Sequence, residues 1–181
     1  MKIILLKLVP YILAYGTGEK AMSFPDDHPI MKRASIKAEE VIEVVESMVE
    51  DPIQQEAWAR SIFGWQYWEA SWLTRPKGYN DDGKACGVMQ IHNPHKIIPG
   101  VTCEMLKKDS KLSVKVALTY LLEREKACGS KAAAWSAYSW DGNCHKDTLY
   151  LVKRRFKTVG LSPNGELPIF RALPNLISKI M

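Results

Sequence analysis

Four cysteines, Cys86, Cys103, Cys128 and Cys144, all fall between residues 86 and 144, and none belongs to a Cys-x-x-Cys pair. That spacing lacks the pattern of a structural zinc site. An even count suits two disulfides, and four cysteines allow three connectivities. The preferred pairing joins neighbours, Cys86 with Cys103 and Cys128 with Cys144. Each bridge then closes a loop of about 15 residues, for which chain entropy predicts about 3 kcal/mol. That is large beside the marginal stability of one domain. The other reading is four reduced, buried thiols in a cytosolic protein.

The compartment turns on the N-terminus. Residues 1–16 combine a basic start, an apolar stretch and the small residues Ala14 and Gly16, the layout of a short secretory signal. Lys7 and Pro10 interrupt the apolar run, which is too short for a helical membrane span. A buried N-terminal helix or an interfacial segment is the other reading. The chain has 181 residues, 46% of them hydrophobic and 25% charged, which fits one compact domain and excludes a disordered chain.

The formal net charge is +5, and residues 145–181 carry all of it, with seven basic side chains against two acidic ones. An acidic run of Glu39, Glu40, Glu43, Glu46, Glu50, Asp51 and Glu56 holds no Lys or Arg. The molecule is therefore bipolar, which disfavours a uniform nucleic-acid-binding surface. The basic run Lys153-Arg154-Arg155-Phe156-Lys157 reads as a solvated helix face, as a contact for anionic polymers or a membrane face, or as the partner of the acidic helix.

Periodicity predicts helices. Residues 17–34, with Gly18, Pro25 and Pro29, read as a connector, and the domain runs from 35 to 181. From Ser35 the residues Val41, Val44, Val45 and Met48 recur at helical spacing. Asp51-Pro52-Ile53-Gln54 supplies an N-cap, a proline at the first helical position and a capping-box glutamine, so a helix runs from Pro52 to about Ala70. Trp58, Ile62, Trp65 and Glu69 then line one face. Thr74–Lys84 is a loop or small hairpin, and Cys86–Ile91 a short strand or a tight turn. Further helices are expected over Ser110–Ala127, with Leu112, Val116, Tyr120 and Glu123 on one side, over Lys131–Tyr138, and over Asp147–Val159. The fold class is mainly α, with at most a small β element.

Three separated segments carry chemistry: Glu69-Ala70-Ser71-Trp72, Gly87-Val88-Met89-Gln90-Ile91 and Ala137-Tyr138. In that order they resemble the lytic transglycosylases of the lysozyme-like superfamily, whose pattern is Glu-Ser-x-Phe/Trp, Gly-Leu-Met-Gln-Ile and Ala-Tyr-Asn. The resemblance covers residues 52–145, and the ordered combination is far more specific than any one piece. It implies a lysozyme-like fold and cleavage of peptidoglycan glycan strands, with no metal or organic cofactor. Glu69 falls on the catalytic glutamate, which first protonates the glycosidic oxygen and then accepts the proton of the muramic acid 6-hydroxyl, closing a 1,6-anhydro ring. A carboxyl with both roles needs a pKa raised toward neutrality by apolar walls, which Trp65, Trp68 and Trp72 can supply. Gly87, Met89, Gln90 and Ile91 match the sugar-groove segment, where an amide suits hydroxyl and N-acetyl groups and glycine allows close backbone approach. Met89 and Ile91 read equally as core. Tyr138 matches the tyrosine that orients the catalytic carboxyl. Ala70 stands where the family has serine, with Ser71 next, and Ser139 stands where it has asparagine; Ser71 and Ser139 join the expected substrate contacts, with Trp140 beside them for stacking.

Hydrolytic glycosidases generally use a carboxylate pair, and Asp81 and Asp82 are the candidates for a second one. Anhydro-forming cleavage ranks above a muramidase reaction and above a non-catalytic wall-binding role in an envelope or phage assembly. His92 and His95 read as groove-edge or surface residues rather than zinc ligands. A monomer exported to the periplasm or envelope, or delivered by phage, completes the expectation.

Overall fold

Pro29 and Pro52 each open a helix. In the computed structural model, which describes residues 1, 2, 5, 6, 9, 27–70, 84–139, 142–144, 149–158 and 162–164, helix α1 spans Pro29–Met48 and α2 spans Pro52–Ala70. The start at Pro29 corrects the expected connector, which was to continue through residue 34. Proline at the first helical position gives up only an N–H that would have no helical partner. The His28 side chain accepts from the Ile30 N–H at 3.3 Å to complete the cap. At α2, Asp51 Oδ1 accepts from the Ile53 N–H at 2.8 Å. The expected capping box is replaced by two longer-range contacts: Lys131 Nζ donates to Gln54 Oε1, and Gln55 Nε2 donates to the Val49 carbonyl at 2.7 Å.

Two short helices follow, α3 (Pro94–Ile97) and α4 (Cys103–Lys108), then α5 (Ser110–Cys128), α6 (Lys131–Ser139) and α7 (Leu149–Thr158). Asp109 caps α5 by accepting from the Leu112 N–H at 2.9 Å, and Gly129 ends it in the left-handed region at φ 79°. The buried side of α5 is Val114, Ala117, Leu118 and Leu121, with Ser110, Ser113 and Val116 beside it. That displaces the predicted face: Leu112 and Tyr120 are half-buried and Glu123 is exposed. Among the described residues the structure is mainly helical with no sheet, and the β content there is one antiparallel bridge between Cys86 and Ile91.

Helix α2 lies at the centre. Trp58, Ala59, Ser61, Ile62, Phe63, Gly64, Trp65 and Gln66 are all buried, because α1 covers one side and α7 another. The predicted stripe of Trp58, Ile62 and Trp65 is therefore one part of a wholly buried helix segment, as expected of a core helix. Leu5 and Val9 are fully buried in the same core, with Met1 and Leu6 packed against it.

Disulfides join Cys86 to Cys103 and Cys128 to Cys144, with Cα atoms 5.2 and 5.3 Å apart, which is the neighbour pairing. Two disulfides are compatible with an exported protein. Among the described residues no helix is long and apolar enough to cross a membrane. The acidic face of α1 is not the partner of basic α7. Glu39 pairs with Lys2, Glu40 with Lys37 and Glu43 with Lys111, while α7 packs on α2 and α6.

Candidate active site

The last turn of α2 places Glu69 where the aromatic core meets the surface. Its side chain keeps 18% of its exposure. Withdrawal from water raises its carboxyl from 4.5 to about 7, with the Arg155 guanidinium pulling the other way. The wall beside it is built by Trp65, which stacks on Trp135 at 4.6 Å and meets Phe156 at 5.2 Å and the edge of Tyr138 at 6.3 Å. Trp68 is 42% exposed and so belongs to the surface rather than to that wall.

The second segment is a tight turn. Cys86 and Ile91 exchange both backbone hydrogen bonds, at 3.1 and 2.9 Å, which pinches residues 87–90 into a knuckle. Gly87 adopts φ 69° and Gln90 φ 52°, both in the left-handed region. At Gly87 an added Cβ would lie 2.6 Å from Ser113 Oγ and 2.9 Å from the Leu106 carbonyl oxygen. The glycine is thus required by close packing on α4 and α5. Ser113 Oγ accepts from the Met89 N–H at 3.3 Å, so buried α5 holds the turn from below.

Met89 is fully buried and Ile91 nearly so. The Met89 side chain is core, and its link to the site is its backbone carbonyl, which accepts from the Tyr138 hydroxyl at 2.7 Å. Tyr138 is therefore tied to the turn. It also lies within electrostatic reach of Glu69: burial first, then the Glu69 and Tyr120 charges, push the phenol well above its ordinary value. The phenol stays a neutral donor at any working pH.

A cleft of about 500 Å³ opens along this turn, lined by Gln90, Ile91, His92, Tyr120, Tyr138 and Ser139. Gln90 Nε2 donates to the Gly87 carbonyl at 2.7 Å, so the amide is oriented by its own turn. Ser139 Oγ bonds back to the Trp135 carbonyl at 2.8 Å. His92 lies in the cleft as a groove-edge residue, whereas His95 is exposed and does not line it. Asn93, Lys96 and Gly142 also line it. The short helix α3 carries Lys96, and Tyr120 sits at the margin of the buried stripe of α5, positions that only the true register of these helices reveals.

Glu69, Gly87, Met89, Gln90, Ile91, Tyr138 and Ser139 are thus brought to one region by α2, the turn and α6. Ser71, Trp72, Asp81, Asp82 and Trp140 lie outside the described residues. Among the described residues no group of three or more His, Cys, Asp or Glu side chains converges. The arrangement offers a carboxyl poised near neutrality, a phenol whose one O–H is committed to the Met89 carbonyl and so does not donate to Glu69, and an open cleft that Tyr138, though not Glu69, lines. Of these two side chains, the titrating group for proton transfer to and from a bound polyol is therefore Glu69 alone. Comparisons with protein-family models, with curated proteins and with solved structures find no match to this chain.

Proposed function

We propose that the protein is a peptidoglycan lytic transglycosylase, cleaving the β-1,4 bond between N-acetylmuramic acid and N-acetylglucosamine and leaving a 1,6-anhydromuramoyl end. The observation that carries this reading is Glu69, a carboxyl drawn out of water to a pKa of about 7 beside Tyr138 and the Gly87–Ile91 turn. At neutral pH such a group is present in both forms, so it can protonate a glycosidic oxygen and then take a proton from the 6-hydroxyl. In the sequence of events Glu69 gives its proton as the bond to the leaving sugar breaks. The carboxylate then removes the 6-hydroxyl proton as that oxygen closes on the anomeric carbon, and Glu69 returns to its protonated state.

The charged group beside Glu69 among the described residues is the cation Arg155 rather than a second carboxylate. The two disulfides fit work in an oxidising compartment such as the periplasm or envelope. A turbidity assay on purified peptidoglycan, comparing the wild type with Glu69→Gln and followed by mass analysis of products, tests the proposal. Lysis abolished in the variant, with anhydro-ended products from the wild type, is the expected result. Hydrated ends point to a muramidase, and binding without lysis in both proteins points to a structural wall component.

A further inference from the structure

The basic helix α7 turns one of its cations inward. Lys153, Arg154 and Lys157 are exposed, whereas Arg155 Nη1 lies 3.8 Å from Glu69 Oε1 and the guanidinium carbon lies 5.6 Å from the centre of the Trp65 ring. Val152 and Phe156 of the same helix are fully buried. Phe156 packs on both Trp65 and Trp135, at 5.2 and 5.3 Å. The guanidinium is therefore delivered by an anchored helix, and its planar face suits an indole while its edge suits a carboxylate.

Resting on the reading of Glu69 as acid and then base, we propose that Arg155 is a positioning residue. It holds the Glu69 carboxyl against the Trp65 wall and sets the balance between its protonated and ionised forms. A carboxyl withdrawn from water among aromatics would otherwise favour its neutral form, which gives a proton well and takes one back poorly. A cation a few ångströms away restores the carboxylate without adding a titrating group. Among the described residues the other groups around Glu69 do not compete for this role. Tyr138 of α6 is a neutral phenol, and α1, the remaining helix described above as packed on α2, directs Glu39, Glu40 and Glu43 to Lys2, Lys37 and Lys111.

The test is a carbon-13 NMR titration of the glutamate carboxyls, with the Glu69 resonance assigned by its loss in Glu69→Gln. The wild-type midpoint is expected at about 7. In Arg155→Gln it moves upward by about one pH unit, the lower end of what an opposite charge at this range supplies because the pair is partly solvated. Arg155→Lys keeps the charge and stays near the wild type, and Lys157→Gln, which removes an exposed cation from the same helix, leaves the midpoint in place. Arg155→Met, which keeps an apolar stem against Trp65, serves as the second neutral variant should Arg155→Gln fail to fold. In the lysis assay the alkaline limb of the pH profile follows the same shift. An unmoved midpoint in the neutral variants, or an equal shift in Lys157→Gln, overturns the proposal. Absence of lysis by the wild type overturns the transglycosylase reading instead, and the titration still decides whether Arg155 governs Glu69.

Discussion

The Tyr138 hydroxyl donates to the Met89 carbonyl at 2.7 Å, joining helix α6 to a turn 49 residues earlier in the chain. This bond fixes the phenol at the cleft and closes the turn against the core. Tyr138→Phe keeps the ring contacts with Trp65, Trp135 and Tyr120 and removes only the donor. A buried carbonyl left without its partner costs about 1–2 kcal/mol, so the melting temperature should fall by a few degrees. Lysis should fall more steeply, about ten- to a hundredfold, because the turn and the ring at position 138 both lose their register to Glu69. Thermal unfolding beside the turbidity rate separates the two effects. A loss of lysis no larger than the loss of folded protein would mean that the bond serves stability alone.

Gly87 gives the turn a second, steric test. Gly87→Ala must place a methyl group 2.6 Å from Ser113 Oγ and 2.9 Å from a backbone carbonyl, at φ 69°. Neither neighbour can retreat easily, since Ser113 is fully buried and the carbonyl belongs to the backbone at Leu106. The substitution should cost at least about 2 kcal/mol. Gly100→Ala is the control: its φ is also positive, at 83°, but nothing lies within 4 Å of the added carbon. Denaturation midpoints should therefore rank wild type, then Gly100→Ala, then Gly87→Ala. Equal losses in the two variants would show that backbone strain alone, without the clash, sets the cost.

Local chemistry made much of this architecture legible. Asp51-Pro52 marked the start of α2, Gly129 the end of α5, and the cysteine spacing the disulfides, because caps and short loops act within a few residues. The motif residues Glu69, Gly87–Ile91 and Tyr138 also fall together, although Ser71, Asp81 and Asp82 lie outside the described residues. Long-range packing was less visible. Pro29 reads as a breaker until α1 has something to pack on, and α2 looks amphipathic until α7 covers its other side. Arg155 sits in a run of four cations whose members differ only in rotational position on α7. Which one meets Glu69 depends on how Val152 and Phe156 seat the helix, information that no window of sequence contains.

The disulfides bracket the site. Cys86–Cys103 ties the turn to α4, and Cys128–Cys144 ties the end of α5 to the segment holding Gly142, whose carbonyl accepts from Arg124 at 3.2 Å. Replacing either pair with serine should lower stability by about 3 kcal/mol on the chain-entropy estimate. The functional consequences should differ. Loss of Cys86–Cys103 loosens the turn that carries Met89 and Gln90, so lysis should fall even well below the melting temperature. Loss of Cys128–Cys144 frees the Gly142 side of the cleft and should weaken substrate binding more than turnover. Michaelis parameters on soluble glycan fragments distinguish the two, and identical profiles would show that the bridges contribute only to folding.

Glu69 should also leave a signature in stability. Its carboxyl titrates at about 7 in the folded chain against an ordinary value of 4.5. Between those values the native state holds a proton that the unfolded chain has released. Native protein therefore loses stability as pH rises through this window, and the loss is complete above the folded value. At 1.36 kcal/mol per pH unit the total is on the order of 3 kcal/mol. Glu69→Gln cannot ionise, so it should match the wild type near about pH 4 and exceed its stability by that amount near about pH 8. The variant that gains stability at alkaline pH is the same one that loses lysis, which is the trade expected when a fold holds a carboxyl out of water for its chemistry. Urea denaturation of both proteins across this range checks it. Parallel stability curves for wild type and variant would show that the Glu69 carboxyl is ordinary, and the assignment of a group poised near neutrality would fall with them.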